Sequence, residues 1–246
     1  HLLALEIGEK NKNVETVQLV YKWLAELRVE RGDIIVAMGG GVTGDLVGFV
    51  AATWLRGVAV VHVPTSLAAM VDSSIGGKTG VNIPTGKNLI GAFHQPKLVL
   101  QDVAHLGSLP AREMSAGWAE AVKHGFILDA QLLDTFERLA SQMKALDGEE
   151  PVAAIRRSVA IKSEIVSADE FETGDYRVLL NYGHTVGHAI EKVSGYGTYL
   201  HGEAVAVGMM VAARIAEKLG MIDPELVHHQ RKVLESYDLP VKAPDL

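Results

Sequence analysis

The chain has 246 residues, 48% of them hydrophobic, with no cysteine and a formal net charge of −7. This length allows one large domain or two ordinary ones, each with a buried core. The acidic balance argues against binding to nucleic acid or to an anionic membrane surface. The lack of cysteine excludes disulfides, thiolate zinc ligands and a thiolate nucleophile. An anionic small molecule is not excluded, because a few local cations can line a pocket.

The beginning of the chain shows no secretion signal, because residues 1–6 have neither a cationic start nor a long apolar run. The longest mostly apolar stretch, residues 46–55, has about half the length that a membrane span needs. We therefore predict a cytoplasmic protein. Since the chain does not begin with methionine, we also expect that an N-terminal part precedes it.

The first elements alternate in the manner of a parallel α/β layer. The patterns predict helices at 14–31 and 42–55 and strands at 33–38, 58–63 and 97–101. After Pro110 every periodic segment is helical, namely 113–128, 130–145, 151–168, 178–194, 202–219 and 224–236. The sequence therefore predicts an α/β half and an all-helical half, with a boundary near residues 104–110.

A glycine-rich turn, Gly39-Gly-Gly-Val-Thr-Gly-Asp45, joins the first predicted strand to a helix. Its glycines fit G-x-G-x-x-G, in which backbone N–H groups and a helix N-terminus approach a pyrophosphate. The acid that usually binds the ribose about twenty residues later is absent. A tight strand–helix turn that binds nothing remains the alternative.

A second glycine-rich segment, Asp72-Ser-Ser-Ile-Gly-Gly-Lys-Thr-Gly-Val-Asn82, is interpreted as a loop. It offers N–H groups, the Lys78 ammonium and the Thr79 hydroxyl together, which suits a phosphate or a carboxylate. The alternative is a solvated turn with an incidental lysine.

The helical half contains a set of histidines and glutamates: Glu120, His124, His184, His188, His201 and Glu203. His184 and His188 are spaced to lie on one helix face, and spacing alone would make them a pair of metal ligands. Nitrogen and oxygen donors without cysteine suit Zn²⁺ or a similar cation. Lys123 follows Glu120 by three residues, so a cation and a carboxylate share a helix face. For each histidine taken alone, an ordinary hydrogen-bonded side chain is the alternative.

Five strings, in this order, resemble the 3-dehydroquinate synthase family of the sugar-phosphate cyclase superfamily. They are residues 39–45, 71–82, 86–91, 180–188 and 201–204. The resemblance implies a Rossmann-like α/β domain over residues 1–106 that binds NAD. It also implies an all-helical domain over residues 107–246 that binds a divalent metal and the substrate. Family members extend further at both ends.

The resemblance also changes the metal assignment, since the positions that match the ligands of Zn²⁺ or Co²⁺ are Glu120, His184 and His201. The positions that match substrate contacts are Lys78, Asn88, Lys123, Lys162, Arg177, Asn181 and His188, with Asp72 beside them. The positions that match NAD contacts are Glu9, Lys12, Gly40, Gly41, Asp45, Thr65, Lys87 and Glu113. Ser66 replaces a common threonine and keeps its hydroxyl. Arg56 matches a residue that reaches the substrate phosphate from the neighbouring subunit, which implies a homodimer.

The implied reaction converts 3-deoxy-D-arabino-heptulosonate 7-phosphate to 3-dehydroquinate and phosphate, a phosphate-eliminating lyase step of the shikimate pathway. In the family, NAD is reduced and reoxidised within one turnover. The alternatives are another sugar-phosphate cyclase, a glycerol-type metal- and NAD-dependent alcohol dehydrogenase, and a non-catalytic module. The presence of Gly76-Gly77-Lys78, Asn181 and His188 favours the synthase.

Overall fold

The computed structural model describes residues 1–6, 8–195 and 197–243. The chain divides into two compact units, His1–Leu106 and Gly107–Leu246. In the described ranges no helix combines the length and the apolar composition that crossing a membrane requires.

The first unit is an α/β layer. Its helices are α1 (Val14–Glu26) and α2 (Gly41–Thr53), and its strands are β1 (Ile34–Gly39), β2 (Ala59–Pro64), β3 (Lys78–Ile83), β4 (Gly86–Phe93) and β5 (Leu98–Val99). Short 3-10 segments lie at Glu9–Asn11, Trp54–Arg56 and Val103–Ser108, and a π-helical turn lies at Ala69–Ser73. Strands β1, β2 and β5 form a parallel sheet in the order β1-β2-β5. The predicted parallel α/β fold is thereby confirmed.

One face of this sheet carries the core of the unit. Ile35 and Ala37 of β1 pack with Val20 of α1 and Val50 of α2. The alternate residues Ile34, Val36 and Met38 are 58–60% exposed. The sequence predicts a strand that is buried throughout, which is correct for one face only, because residues of both helices enter the core on the side of Ile35.

The segment interpreted as a glycine-rich loop is in part an antiparallel hairpin of β3 and β4, with Val81 opposite Ile90. The loop prediction is therefore wrong from Lys78 onward. A Cβ atom on Gly91 would lie 2.3 Å from the Thr79 carbonyl oxygen, and one on Gly80 would lie 2.7 Å from that of Ile90. These glycines allow two backbones to approach closely, so they do not mark a turn.

The second unit is helical. Its helices are α3 (Ala111–Leu128), α4 (Ala130–Arg138), α5 (Ala140–Ala145), α6 (Glu150–Ala168), α7 (His184–Val193), α8 (His201–Lys218) and α9 (Pro224–Ser236), with a 3-10 turn at Arg177–Asn181. Its described residues contain no strand, as predicted. The core includes Trp118, which is fully buried against Phe136 and Tyr237.

Two of the predicted helices are interrupted. The segment 130–145 breaks at Leu139, which separates α4 from α5. The segment 178–194 breaks at Gly183, whose φ of 83° lies in the left-handed region. A Cβ atom on Gly183 would also lie 2.7 Å from the Val205 carbonyl oxygen. The break at Gly183 makes His184 the first residue of α7.

Candidate functional site

Three helices of the second unit bring a carboxylate and two imidazoles together. Glu120 lies in the middle of α3, whereas His184 and His201 are the first residues of α7 and α8. The start of α8 is fixed by Glu203, whose carboxylate accepts a hydrogen bond from the backbone N–H of Leu200 at 2.8 Å. Two of the three side chains thus lie at helix starts, and at α8 the cap fixes the backbone beside the site.

The distances fit a tetrahedral cation. Oε1 of Glu120 lies 3.6 Å from Nε2 of His184 and 3.4 Å from Nε2 of His201. Two ligand atoms that each lie about 2.1 Å from a tetrahedral Zn²⁺ are about 3.4 Å apart. The same Oε1 is buried and has no hydrogen-bond partner within the described residues, although an ionised oxygen in this position requires one. Glu120, His184 and His201 could therefore hold a metal ion.

The pair that helical spacing alone selects is arranged differently. The rings of His184 and His188 lie 5.4 Å apart between centroids. His184, however, groups with Glu120 and His201, whereas His188 groups with Glu191 and His201. The residues that converge come from different helices, so their spacing along the chain carries no signal.

Charge on Glu120 is maintained by its neighbours. Burial alone would raise the pKa of this carboxyl group, but Lys123 and the two imidazoles outweigh the burial and hold the pKa well below its usual range. Lys123 donates a hydrogen bond from Nζ to Oε2 of Glu120, and both side chains are only 1% exposed. The carboxylate is therefore an anion at neutral pH, as metal binding requires.

His201 has a strongly shifted pKa. Burial alone would lower it, but the two carboxylates that face the ring, those of Glu120 and Glu191, outweigh burial and raise the pKa to about 10 when no cation competes. A metal ion can take Nε2 only after the proton has left. We therefore expect Zn²⁺ binding between pH 7 and pH 8.5 to release about one proton from His201, with an affinity that rises about tenfold per pH unit.

Calorimetric titration of Zn²⁺ in two buffers with different ionisation enthalpies measures this proton release. A binding enthalpy that does not depend on the buffer would contradict the expectation.

Protonation of His201 also affects the stability of the fold, because its folded pKa lies above the unfolded value of about 6.5. This stabilisation is complete below pH 6.5 and is lost as the pH rises toward 10. The side chain is 40% exposed, so solvent screens the effect and proton release is the more direct readout.

An ion-pair clamp holds the chain just before α8. Arg112 donates from Nε to Oε1 of Glu203 at 2.6 Å and from Nη2 to Oε2 at 2.7 Å. Nη2 also donates to the Thr198 carbonyl oxygen at 2.8 Å. Bidentate arginine–carboxylate pairs are directional, so Arg112 fixes the start of the helix that carries His201. Arg112 is not among the predicted site residues, because the sequence gives no local signal for it.

Other predicted substrate residues of this unit include three buried cations. Lys123, Lys162 and Arg177 are 0%, 6% and 2% exposed, and their elements, α3, α6 and the 3-10 turn, pack against one another. Asn181 donates to Oε1 of Glu172 at 3.0 Å, and His188 is exposed. Glu113, predicted to contact NAD, is exposed in the first turn of α3.

In the first unit, the glycine-rich turn leads into the N-terminus of α2. Gly40 is the N-cap residue, and Gly41 is the first residue of the helix. A Cβ atom on Gly40 would lie 3.2 Å from Oγ of Ser66, and one on Gly41 would lie 2.9 Å from Oγ of Ser73. The backbone N–H groups and nearby hydroxyls therefore form a cradle that a side chain would fill and that suits a pyrophosphate. The adjacent Thr65 donates its backbone N–H to the Gly39 carbonyl oxygen at 3.0 Å.

Four predicted NAD residues meet in ion pairs beside this turn. Lys12 contacts Asp45, and Lys87 lies 3.9 Å from Glu9. Burial is the main cause of a raised pKa at Asp45, and Lys12 offsets it only in part. Asn82 links this group, since it donates to Oε1 of Glu9 at 2.8 Å and accepts from the backbone N–H of Asn88 at 2.9 Å. Asn82 was missed as a site residue although it ends the Lys78 motif.

The remaining predicted residues of this unit lie on its turns and hairpin. Lys78 is exposed at the start of β3, and Asp72 is half-buried in the π-helical turn. Asn88 and Arg56 have left-handed backbones, with φ of 54° and 69°. Non-glycine residues in this region are uncommon and concentrate at functional sites.

Comparison with solved structures defines the class. A 2-epi-5-epi-valiolone synthase from Streptomyces hygroscopicus subsp. jinggangensis 5008, with NAD⁺ and Zn²⁺ bound, superposes with a TM-score of 0.94 at 32% identity. The match covers 99% of this chain and 68% of that one. A 2-deoxy-scyllo-inosose synthase complexed with carbaglucose-6-phosphate, NAD⁺ and Co²⁺ has a TM-score of 0.88 at 33% identity, over 99% of this chain and 67% of its own. The fold is therefore that of the dehydroquinate-synthase-like synthases.

Sequence comparison then gives the family. Family models for the N-terminal and C-terminal parts of 3-dehydroquinate synthase match residues 2–116 and 117–246. The 3-dehydroquinate synthase of Prochlorococcus marinus (strain AS9601) is 48% identical over 247 residues, which is 100% of this chain and 68% of that protein. The chain belongs to the 3-dehydroquinate synthase family and spans about two thirds of the length of this relative.

Proposed function

We propose that the chain catalyses the 3-dehydroquinate synthase reaction, eliminating phosphate from 3-deoxy-D-arabino-heptulosonate 7-phosphate as a lyase. The observation that carries the proposal is the buried Oε1 of Glu120, which faces Nε2 of His184 and of His201 at ligand-to-ligand distances. A bound divalent cation would supply Lewis acidity at substrate hydroxyls, and NAD would supply reversible hydride transfer. NAD⁺ with Zn²⁺ or Co²⁺ occurs in the solved synthases that this fold matches.

The buried cations support an anionic substrate. Lys123, Lys162 and Arg177 are all buried, and the three elements that carry them pack against one another. Several positive charges are thereby concentrated in one part of a chain of net charge −7. Arg177 is held by the Glu170 carbonyl oxygen, which fixes the direction of its guanidinium. Charge-assisted hydrogen bonds from these groups would bind the carboxylate and phosphate and orient the sugar.

We infer that His188, which matches a substrate-handling position of the family, exchanges a proton with the bound sugar. It is exposed, and its ring lies 5.4 Å from that of His184 and 5.8 Å from that of His201, between centroids. A histidine beside the reacting hydroxyls can hold or pass a proton near neutral pH. Phosphate elimination itself needs only a modest base, which the substrate phosphate can provide.

Arg56 supports the proposal of a homodimer. It is exposed and lies in a strained segment, since both Leu55 and Arg56 have positive φ, of 49° and 69°. Such a conformation costs about 1–3 kcal/mol per residue, which is consistent with a functional position that presents the guanidinium to a neighbouring subunit. We place this homodimer in the cytoplasm.

Phosphate release from 3-deoxy-D-arabino-heptulosonate 7-phosphate tests the function. With Zn²⁺ and NAD added, we expect phosphate release that a chelator abolishes, and no accumulation of NADH. Net NADH formation would assign the chain to the alcohol dehydrogenases. Release from sedoheptulose 7-phosphate or glucose 6-phosphate, but not from the proposed substrate, would assign it to another cyclase.

A further inference from the structure

We propose that Glu191 is a positioning residue that holds the imidazole of His201 in the orientation required for metal binding. This inference rests on the proposed function, because it concerns the same metal centre. Glu191 is 5% exposed, and its Oε2 lies 3.2 Å from Nδ1 of His201. Nε2 of the same ring lies 3.4 Å from Oε1 of Glu120. The two ring nitrogens of His201 therefore face two different carboxylates.

The hydrogen bond to Glu191 determines the tautomer of His201. An ionised carboxylate only accepts hydrogen bonds, so in the neutral imidazole that a cation requires, Nδ1 carries the hydrogen and Nε2 has the lone pair. Nε2 is the ring nitrogen that faces Glu120. A carboxylate behind a metal-bound histidine fixes its ring and increases its basicity as a ligand.

His184 shows the same arrangement with a neutral acceptor. Its Nδ1 lies 3.3 Å from the Tyr182 carbonyl oxygen, and its Nε2 faces Glu120. Both imidazoles thus have an acceptor behind Nδ1 and present Nε2 to one carboxylate oxygen. Because two independent rings share this orientation, we infer that both histidines would bind the metal ion through Nε2.

Close packing of α7 and α8 makes the contact between Glu191 and His201 direct. A Cβ atom on Gly208 would lie 1.9 Å from the Gly183 carbonyl oxygen, and one on Gly187 would lie 3.2 Å from backbone atoms of Ala204. Glu191 lies two helical turns after His184 and therefore on the same side of α7. Its carboxylate is thereby buried between the two helices.

The competing assignment makes Glu191 a metal ligand, since His188, Glu191 and His201 also form a group of suitable donors. The two assignments differ in what Glu191→Gln does. The glutamine amide oxygen still accepts a hydrogen bond from Nδ1 and keeps the ring in place, but it loses the charge that a ligand supplies. Glu191→Ala removes both the hydrogen-bond acceptor and the negative charge.

The experiment measures Zn²⁺ affinity by chelator competition for the unaltered chain, Glu191→Gln and Glu191→Ala. Lys192→Ala, an exposed neighbour on α7, is the matched control. We expect a loss of about 10- to 100-fold for Glu191→Ala, as for other residues behind a metal ligand. Glu191→Gln should recover most of that affinity, and Lys192→Ala should equal the unaltered chain. The Co²⁺ absorption spectrum should keep its shape in Glu191→Gln, since no ligand is lost.

Three outcomes overturn the inference and are distinguishable. Equal losses in Glu191→Gln and Glu191→Ala, with a changed Co²⁺ spectrum, would make Glu191 a ligand. Unchanged affinity in Glu191→Ala would give it no part in the site. Failure of the unaltered chain to bind Zn²⁺ would remove the metal centre and with it the proposed function. Circular dichroism of each variant without metal shows whether a loss of affinity reflects unfolding.

Discussion

Replacing Glu120 by glutamine is expected to weaken Zn²⁺ binding by more than about 100-fold and to reduce phosphate release in parallel. Glutamine keeps the shape of the side chain and an oxygen that accepts from Lys123, but it removes the negative charge between two imidazoles. Residues behind a metal ligand are worth about 10- to 100-fold in affinity. Loss of the anionic ligand itself should exceed that range. Chelator competition gives the affinity, and phosphate release gives the activity.

The same substitution should destabilise the fold in the absence of metal. Lys123 is fully buried and its Nζ contacts the Glu120 carboxylate. Breaking a buried ion pair by removing one partner costs about 3–5 kcal/mol, and the retained amide oxygen should keep the cost near the lower end. Thermal unfolding with a chelator present measures this loss.

Glu235→Gln is the matched control for Glu120→Gln, because Glu235 is an exposed residue of α9. It should change neither Zn²⁺ affinity nor stability by a measurable amount. If Glu120→Gln bound Zn²⁺ within threefold of the unaltered chain, Glu120 would have no place in the metal site and the proposed mechanism would fail.

The first elements of the fold could be predicted because their signals are local. The predicted segments 33–38 and 42–55 correspond to β1 (Ile34–Gly39) and α2 (Gly41–Thr53). Here a glycine turn separates a β-branched run from a helical one, and both the turn and the periodicity can be recognised from neighbouring residues. The hairpin of β3 and β4 was missed because Gly80 and Gly91 serve a contact between strands, which a local pattern cannot distinguish from a turn.

The site was only partly accessible to local reasoning. Helical spacing selects His184 and His188, whereas the cluster around Glu120 is assembled by the packing of α3, α7 and α8. Only the resemblance to a family supplied Glu120 and His201 as partners. Glu191 could have been found, since it continues the helix face of His184 and His188. Asn82 could not, because its bonds to Glu9 and Asn88 depend on how the first unit folds.

Gly202→Ala is expected to damage both the stability of the helical unit and its metal affinity. A Cβ atom on Gly202 would lie 1.8 Å from the carbonyl oxygen of Ala116 and 2.6 Å from its carbonyl carbon. Both atoms belong to the backbone of α3, so no side-chain rotation relieves the clash. Helices α3 and α8 would have to separate by more than about 1 Å in an interior that is close-packed. Overpacking typically costs about 1–3 kcal/mol, and a clash with backbone belongs at or above the upper end.

The metal site lies across the same helix contact. Glu120 follows Ala116 by one turn of α3, and His201 directly precedes Gly202 on α8. Their ligand atoms are 3.4 Å apart, and a site of this kind tolerates a displacement of only about 0.5 Å. We therefore expect Zn²⁺ affinity to fall by more than about tenfold in Gly202→Ala, even at temperatures where the variant is fully folded.

Gly107→Ala separates this effect from the cost of replacing glycine as such. A Cβ atom on Gly107 meets nothing within 4 Å. The free energy of unfolding of Gly107→Ala should therefore differ from that of the unaltered chain by no more than about 0.5 kcal/mol. Zn²⁺ should raise the unfolding temperature of the unaltered chain and of Gly107→Ala by the same amount, because ligand stabilisation depends on affinity alone at a given concentration. In Gly202→Ala the Zn²⁺-dependent rise should shrink or vanish. An unchanged rise on top of a lower unfolding temperature would show that the contact between α3 and α8 supports the fold but does not set the distance between Glu120 and His201.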